Sequence, residues 1–239
     1  MADALLTVDC GNSTISCLDD AGQRWSTSSR GPDFSSLAAF VGARAPRVLA
    51  VSVVAAALSA VTEAFSAIGL EVEVAGEHLP CPLRLDYETV ETLGADRWLG
   101  AFAAHRRFGA AVTVDCGTAT TVNVVTHEGV FRGGAIAPGL DAFVAGMTAA
   151  APALPAADLD AAAAAPASST QACVDAGVLI GWAGMVERLV GEARAGAPDA
   201  ALVVTGGNAT RLAPRLTLAC EHHPDLLHQG LRALAVAPR

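Results

Sequence analysis

Basic residues are scarce in this sequence, and they never form a run. The 239-residue chain has 15 Lys and Arg against 24 Asp and Glu, which gives a formal net charge of −9. Proteins that hold the phosphate backbone of a nucleic acid present clustered Lys and Arg. The sequence therefore predicts no nucleic-acid partner. An anionic ligand would have to be held by backbone amides, isolated arginines and metal ions.

Long apolar runs are also missing. The most apolar window, residues 48–61, contains two serines and is shorter than the roughly 20 residues that a membrane-spanning helix requires. It is more typical of a buried strand that runs into a helix. Asp3 and Asp9 interrupt the first apolar stretch, where a secretory leader would be continuously apolar. We therefore expect no membrane partner.

Cysteine pairs and metal-ligand spacings are absent as well. The six cysteines include no CxxC pair, and the six histidines show no HExxH pattern. A chain of this size does not need disulfides to fold, so we predict reduced thiols in a cytoplasmic protein. Cys10 and Cys116 are expected to be small apolar fillers rather than nucleophiles. The histidines are assigned no role, and His222 and His223 are expected to form a polar surface pair.

Alanine and valine are abundant, whereas aromatic residues make up 5% of the chain and Tyr87 is its single tyrosine. Strand-like runs alternate with alanine-rich helical stretches, which predicts an α/β fold. The length fits one large domain or two modest halves, and we place the boundary near Gly109, giving halves 1–109 and 110–239. Residues 149–169 are expected to form a loop or a partly helical insertion. The strand-like runs are 5–8, 48–54, 72–74, 111–114, 121–125 and 201–204.

An internal repeat is the most informative feature of the sequence. Residues 7–11, TVDCG, recur as residues 113–117, and each copy ends a strand-like run before a Ser/Thr-rich stretch. The glycine permits a tight bend, and an apolar residue after the bend returns the chain into a second strand. Each copy therefore predicts a β-hairpin.

A hairpin of this composition is suited to phosphate. Its tip can present N–H groups and hydroxyls to phosphate oxygens, while the neighbouring carboxylate, Asp9 or Asp115, holds a hydrated Mg²⁺ or another cation. A single copy would be more typical of an ordinary turn. Two copies, separated by about half the chain, instead favour two similar halves that grip a nucleotide from both sides.

These motifs resemble those of the superfamily of sugar kinases, heat-shock protein 70 and actin. The resemblance is carried by the two repeated motifs and by a later Thr-Gly-Gly-Asn at residues 205–208. It implies two similar ribonuclease-H-like halves, the actin-like ATPase fold, with a cleft between them. In that superfamily the later glycine pair lies against the adenosine.

A narrower resemblance, to type III pantothenate kinases, extends from residue 5 to about residue 231. It is carried by the motifs GADR at 94–97, DCGTATT at 115–121 and GGAIAPG at 133–139, with support from Tyr87 and Thr170. Some positions depart from the family pattern. Asn123 replaces a usual Asp, Ser13 replaces a usual Thr, no Asn-Pro pair precedes the GADR motif, and the segment before Thr170 is rich in alanine.

The resemblance implies ATP-dependent phosphorylation of pantothenate to 4′-phosphopantothenate, the first step of coenzyme A biosynthesis, by a homodimer. Asp96 would be the general base that accepts the proton of the primary alcohol. Asp115 would hold K⁺ or NH₄⁺, and Asp9 would reach the Mg²⁺ of ATP through water. The implied substrate-binding residues are Tyr87, Gly94, Ala95, Asp96, Arg97 and Thr170. The implied ATP-binding residues are Asp9, Cys10, Gly11, Asn12, Ser13, Thr14, Thr118, Gly206 and Gly207.

Other interpretations of the same residues stay open. Asp96 could serve only the dipole of a helix N-terminus, Arg97 could be a solvated surface arginine, and Thr170 could be a helix N-cap. The chain could be a nucleotide-binding regulator, with the lost charge at Asn123 as its sign. It could also phosphorylate another small alcohol or hydrolyse a polyphosphate-like substrate. The retained acidic residues argue against a regulator, and the GADR motif with Tyr87 favours pantothenate.

Overall fold

The computed structural model describes residues 4–43 and 46–237. The strands are β1 Leu5–Cys10, β2 Thr14–Asp19, β3 Arg24–Ser28, β4 Arg47–Ser52, β5 Val72–Val74, β6 Arg84–Leu85, β7 Ala111–Cys116, β8 Ala119–Val125, β9 Val130–Pro138, β10 Ala201–Thr205 and β11 Glu221–His222. The α-helices are α1 Leu37–Val41, α2 Ala55–Ser66, α3 Ala95–Phe108, α4 Leu140–Ala150, α5 Thr170–Arg194, α6 Ala209–Leu212 and α7 Leu226–Ala235. Short 3₁₀ turns cover Val90–Thr92 and Ala213–Arg215.

The chain forms two compact units, one of Met1–Ala103 with Asp225–Arg239 and the other of Ala104–Pro224. The division falls inside α3, and the C-terminal α7 belongs to the first unit. The domain boundary near Gly109 stays a prediction.

The sheet of the first unit has the strand order β3-β2-β1-β4-β5. Strand β1 pairs antiparallel with β2 and parallel with β4. One face of β1 packs on α2, which buries Ala57, Val61 and Phe65 at helical spacing. Helix α7 contacts β1 and β4. Strand β1 is therefore the central strand of this sheet.

The second unit repeats this arrangement, because its strands follow the order β9-β8-β7-β10-β11. Strand β7 again pairs antiparallel with one neighbour and parallel with the other. Helix α5 covers the sheet with a fully buried row that includes Val178, Trp182, Val186 and Val190. The two TVDCG motifs thus end equivalent central strands, which confirms the predicted repeat of an α/β half.

Strand β9 approaches β8 unusually closely at a glycine. A Cβ at Gly134 would lie 1.8 Å from the carbonyl oxygen of Val122, and the ladder shifts its register between Asn123 and Val125. This position of the GGAIAPG motif therefore accepts only glycine.

The predicted strands are confirmed, most of them one or two residues longer than the apolar runs that indicated them. Of the predicted loop or partly helical insertion, 149–169, the first two residues end α4 and residues 151–169 contain no helix or strand. One alternative interpretation, Thr170 as a helix N-cap, and one prediction, the histidine surface pair, are wrong. Ser169, not Thr170, caps α5, because its side chain accepts a hydrogen bond from the amide of Ala172. His223 is buried and packs edge-on against Phe108, with ring centroids 5.6 Å apart.

Within the residues that the structure describes, we find no helix with the length and apolarity to cross a bilayer.

Candidate active site

The first repeated motif forms the predicted hairpin between β1 and β2. The amide of Gly11 donates to the carbonyl of Thr14 over 3.0 Å and closes the turn. The hydroxyl of Ser29 donates to the carbonyl of Gly11 over 2.7 Å, and the amide of Ser29 donates to the carbonyl of Ser13. Ser29, the residue after β3, therefore fixes the tip of the hairpin. The side chains of Asn12, Ser13 and Thr14 are exposed there, and those of Asp9 and Cys10 lie further down the strand.

The second repeated motif forms a tighter hairpin between β7 and β8. Its tip is Gly117 and Thr118, and the amide of Gly117 donates to the carbonyl of Ala119 over 3.1 Å. Thr118 is exposed at the tip. Below the tip, the indole N–H of Trp182 donates to the hydroxyl of Thr120 over 3.2 Å, and both side chains are fully buried. Helix α5 thus anchors this hairpin from beneath.

The later glycine pair lies directly beside the second motif. Gly206 follows β10 with a φ of 89°, and a Cβ there would lie 2.3 Å from the Oδ1 atom of Asp115. The amide of Asn208 donates to the carbonyl of Cys116 over 3.0 Å. The backbone after β10 therefore passes against the Asp115 carboxylate at a distance that only glycine permits.

The end of the GGAIAPG motif meets the same hairpin. The amide of Gly139 donates to the carbonyl of Thr118 over 3.2 Å. A Cβ at Gly139 would lie 2.3 Å from the carbonyl oxygen of Gly117. The segments at Gly139 and Gly206 and the Trp182 side chain, which are far apart in the sequence, therefore all contact the second hairpin.

Asp96 lies half-buried in the first turn of α3. Its Oδ1 atom accepts a hydrogen bond from the amide of Arg97 over 2.8 Å. Burial raises the pKa of Asp96 above its ordinary value, and the hydrogen bond and charge of Arg97 only partly oppose this rise. A Cβ at Gly94 would lie 2.6 Å from the same Oδ1 atom. Gly94 therefore gives the carboxylate its space, which is the physical reason for glycine at the start of GADR.

Arg97 and Tyr87 form a pair in the first unit. The Nη1 atom of Arg97 donates to the hydroxyl of Tyr87 over 3.2 Å, and its Cζ atom lies 5.7 Å from the ring centroid. Arg97 is 8% exposed, so the interpretation as a solvated surface arginine is wrong. Tyr87 therefore restrains the guanidinium of the residue that directly follows Asp96. Thr170 is exposed at the start of α5 in the second unit.

The cysteines differ sharply in burial. Cys10 and Cys116 are buried, and burial raises the pKa of both thiols, that of Cys10 to about 12. Both are therefore apolar fillers, as predicted, because a nucleophile needs its thiolate form. Cys173 is exposed in the first turns of α5.

The candidate cation ligands are separate carboxylates rather than a cluster. The part of the chain that the structure describes contains no group of three or more His, Cys, Asp and Glu side chains that could hold a metal ion. Asp9 and Asp115 each lie half-buried at a hairpin. A single carboxylate suits a cation whose other ligands are phosphate oxygens and water.

The comparison with protein families decides the classification. The model of the family described as type III pantothenate kinase matches residues 5–192. This chain belongs to that family. A type III pantothenate kinase of Rhodopirellula baltica is 42% identical over 164 residues, which cover 64% of this chain and 58% of the relative. One of Rhodococcus opacus is 36% identical over 157 residues, which cover 63% of this chain and 57% of the relative. The matches therefore span less than two thirds of these family members.

Solved structures confirm the predicted actin-like fold of this family member. The conserved putative Baf family transcriptional activator of Campylobacter jejuni has a TM-score of 0.64 at 18% identity, covering 96% of both chains. MreB 5 of Spiroplasma citri, bound to AMPPNP, has a TM-score of 0.56 at 9% identity, covering 98% of this chain and 96% of that one. A ROK family glucokinase of Streptomyces griseus has a TM-score of 0.52 at 12% identity, covering 97% and 98%. At these identities the likeness shows the fold alone.

Two contacts in the site were not predicted from the sequence. Val53 approaches Gly94, since a Cβ at Gly94 would lie 3.2 Å from its Cγ1 atom. Trp182 supports the second hairpin from within α5. In each case the contact joins residues more than thirty positions apart, so local patterns in the sequence do not indicate it.

Proposed function

We propose that this chain phosphorylates pantothenate with ATP, making 4′-phosphopantothenate and ADP, with Asp96 as the general base. The observation that carries the proposal is the half-buried Asp96 carboxylate, hydrogen-bonded to the amide of Arg97, whose guanidinium contacts Tyr87. Burial raises the pKa of this carboxylate. Membership of the type III pantothenate kinase family supports the choice of substrate. In this proposal the chain performs the first step of coenzyme A biosynthesis.

In phosphoryl transfer the protein mainly positions the reactants and stabilises charge, and it forms few covalent bonds itself. The primary hydroxyl of pantothenate would attack the γ-phosphorus while Asp96 accepts its proton. A new O–P bond forms, the bond from the γ-phosphorus to its bridging oxygen breaks, and ADP leaves. Burial suits Asp96 to this task because a carboxylate with a raised pKa is a stronger base.

Arg97 would bind the carboxylate of pantothenate. The chain has no lysine, so any basic side chain that faces an anionic substrate is an arginine or a histidine. A hydrogen bond to a charged group contributes about 1.5 to 3 kcal/mol. The contact with Tyr87 holds the guanidinium for this purpose. The hydroxyls of Tyr87 and Thr170 would reach the amide and alcohol oxygens, with the backbone of Gly94 and Ala95 beside them.

The two hairpins would bind ATP. The tip residues Asn12, Ser13 and Thr14 of the first and Thr118 of the second would donate to phosphate oxygens, and Gly206 and Gly207 would lie against the adenosine. Asp9 would hold the Mg²⁺ of ATP through water, and Asp115 would hold K⁺ or NH₄⁺. These cations neutralise phosphate charge. The half-buried position of both carboxylates supports these assignments.

The proposal places the enzyme in the cytoplasm as a homodimer, as the family resemblance implies. Light scattering of the purified chain tests the oligomeric state. A mass equal to one copy at micromolar concentration contradicts the dimer.

The decisive experiment measures ATP consumption and product mass with pantothenate, Mg²⁺ and either K⁺ or Na⁺. We expect phosphopantothenate in K⁺ and a rate lower by roughly 100- to 10,000-fold in Asp96→Asn. Asp141 is also an aspartate in the first turn of a helix, α4, and it is exposed. The control Asp141→Asn removes the same charge from a helix start, so it should keep the wild-type rate if Asp96 acts as a base.

The outcomes separate the competing functions. If wild-type chain makes no phosphopantothenate in K⁺, the proposal falls. Binding of ATP without turnover of any alcohol favours the regulator instead. Wild-type activity in Asp96→Asn excludes Asp96 as the base and leaves the reaction itself standing.

A further inference from the structure

His228 is a buried histidine whose two ring nitrogens both have partners in the first unit. It lies on α7 with 3% of its surface exposed. Its Nδ1 atom is 2.9 Å from the hydroxyl of Thr7 on β1, and its Nε2 atom is 3.0 Å from the hydroxyl of Ser16 on β2. The side chain of His228 therefore bridges β1 and β2. These are the strands of the hairpin that the proposed function assigns to phosphate, which we call the first phosphate hairpin.

The directions of the two hydrogen bonds follow from a third contact together with the charge of the ring. The hydroxyl of Thr7 donates to the carbonyl of Leu18 over 3.0 Å, so its hydrogen is already used. Thr7 therefore accepts from Nδ1–H of His228, and Nε2 accepts from the hydroxyl of Ser16. This assignment requires a neutral ring. Burial lowers the pKa of His228 to about 4, which agrees with it.

The two residues that His228 bridges, Thr7 and Ser16, are neighbours of Asp9 in the sheet. Thr7 and Asp9 are two residues apart on β1, so their side chains are on the same face of the sheet. Ser16 is the residue directly opposite Asp9 on β2, and opposite residues of an antiparallel pair also share a face. Thr7 and Ser16 therefore flank Asp9, one along the strand and one across it.

We propose that His228 is a positioning residue for the first phosphate hairpin, holding Thr7 and Ser16 so that the carboxylate of Asp9 faces the cation that accompanies the nucleotide. This inference rests on the role given to Asp9 in the proposed function. It adds a residue of α7 to that site.

Docking of α7 does not depend on this histidine. Arg232 donates to the carbonyl of Asp19 over 2.6 Å and to the side chain of Asp20. Arg47 donates to the carbonyl of Ala235 over 3.0 Å. An apolar residue at position 228 would fill the same volume without needing two hydroxyls. The polar bridge therefore has a use beyond attaching the helix, since buried polar atoms are costly unless they are paired.

The test measures binding of a non-hydrolysable ATP analogue by calorimetry, with Mg²⁺ and with EDTA. Variants His228→Leu and Ser16→Ala should raise the Kd of the Mg²⁺ complex by roughly three- to tenfold, the range of one lost hydrogen bond. Binding in EDTA and the KM for pantothenate should change by less than about twofold. The double variant should resemble His228→Leu alone, because both changes break one bridge.

Leu234→Ala is the matched control, since Leu234 is a buried residue of the same helix that packs without polar contacts. It should lower the melting temperature and leave Mg²⁺-dependent binding unchanged. Wild-type Mg²⁺-dependent binding in folded His228→Leu overturns the inference, and so does an equal loss in Leu234→Ala. A wild-type chain that binds Mg²⁺-nucleotide but does not phosphorylate pantothenate refutes the proposed function and leaves this test intact.

Discussion

The guanidinium of Arg97 lies over the ring of Tyr87 and also donates to its hydroxyl. A single aromatic side chain therefore restrains the arginine in two ways, by a cation–π contact and by a hydrogen bond. The chain has one tyrosine, and it lies at this point. Because one contact uses the ring face and the other uses the hydroxyl, a substitution can remove the hydrogen bond and keep the cation–π contact.

Tyr87→Phe should remove the hydrogen bond and keep the cation–π contact. We expect the KM for pantothenate to rise about two- to tenfold with little change in kcat, whereas Tyr87→Leu should raise it further. Steady-state kinetics with varied pantothenate measures both. An equal KM in the two variants would show that the ring face does not restrain Arg97.

Gly206→Ala should strain the second unit. The substitution adds a Cβ within 2.3 Å of the Asp115 carboxylate at a φ of 89°, and a positive φ alone costs a non-glycine residue about 1 to 2 kcal/mol. We expect a melting temperature lower by several degrees or more, about 4 °C per kcal/mol. The neighbouring Gly207 has no atom within 4 Å of its Cβ position, so Gly207→Ala is the control. Equal melting temperatures would contradict the close approach.

Asp96 should make stability depend on pH. Its pKa is raised above the ordinary value of 3.8 by burial, so the folded chain binds this proton more tightly than the unfolded chain does. Stability of the wild type therefore falls as pH rises from about 4 through the raised pKa. Asp96→Asn removes this loss, so its melting temperature relative to wild type should increase with pH across that window. A difference that does not vary with pH would contradict the raised pKa.

Ionisation of Asp96 should also govern kcat. The carboxylate is the basic form, so kcat should fall as pH drops through the raised pKa of Asp96. Rate measurements between about pH 3 and pH 8, with ATP and pantothenate saturating, locate the midpoint. A midpoint at or below the ordinary value of 3.8 would show that burial does not tune this group.

Thr120→Val should destabilise the second unit more than its exposed counterpart does the first. Both Trp182 and Trp25 donate an indole N–H to a hydroxyl, that of Thr120 over 3.2 Å and that of Ser36 over 2.9 Å. Only the first bond is buried. Thr120→Val leaves a buried N–H without its partner, which costs about 1 to 3 kcal/mol. Ser36→Ala should cost less than about 1 kcal/mol, since water replaces the hydroxyl.

Urea unfolding followed by circular dichroism measures both free energies of unfolding. Equal losses in the two variants would contradict the buried character of the Trp182 contact.

The sequence predicted what depends on neighbouring residues. Strands such as β5 and β10 follow from short β-branched runs, and the paired hairpins follow from a repeat of five identical residues. The two similar α/β halves follow from that repeat, because equivalent motifs end equivalent central strands. These features need only local patterns and their spacing.

What the sequence did not predict depends on contacts between distant residues. The close approach of Gly206 to Asp115 joins the residue after β10 to the neighbouring strand β7, and nothing beside either residue indicates it. Arg97 is buried and contacts Tyr87, and the partners of His228 lie near the opposite end of the chain. The cap at Ser169 was missed because three consecutive hydroxyl residues, 168–170, fit the pattern equally well.

The uneven burial of the thiols has a practical use. Buried Cys10, Cys17 and Cys116 have raised pKa values and resist alkylation, whereas Cys173 is exposed. Cys173 is three residues after Thr170 on the same helix. A maleimide dye at neutral pH should therefore attach first to this helix start without an engineered cysteine. A change in its emission on addition of pantothenate would then test the substrate contact proposed for Thr170.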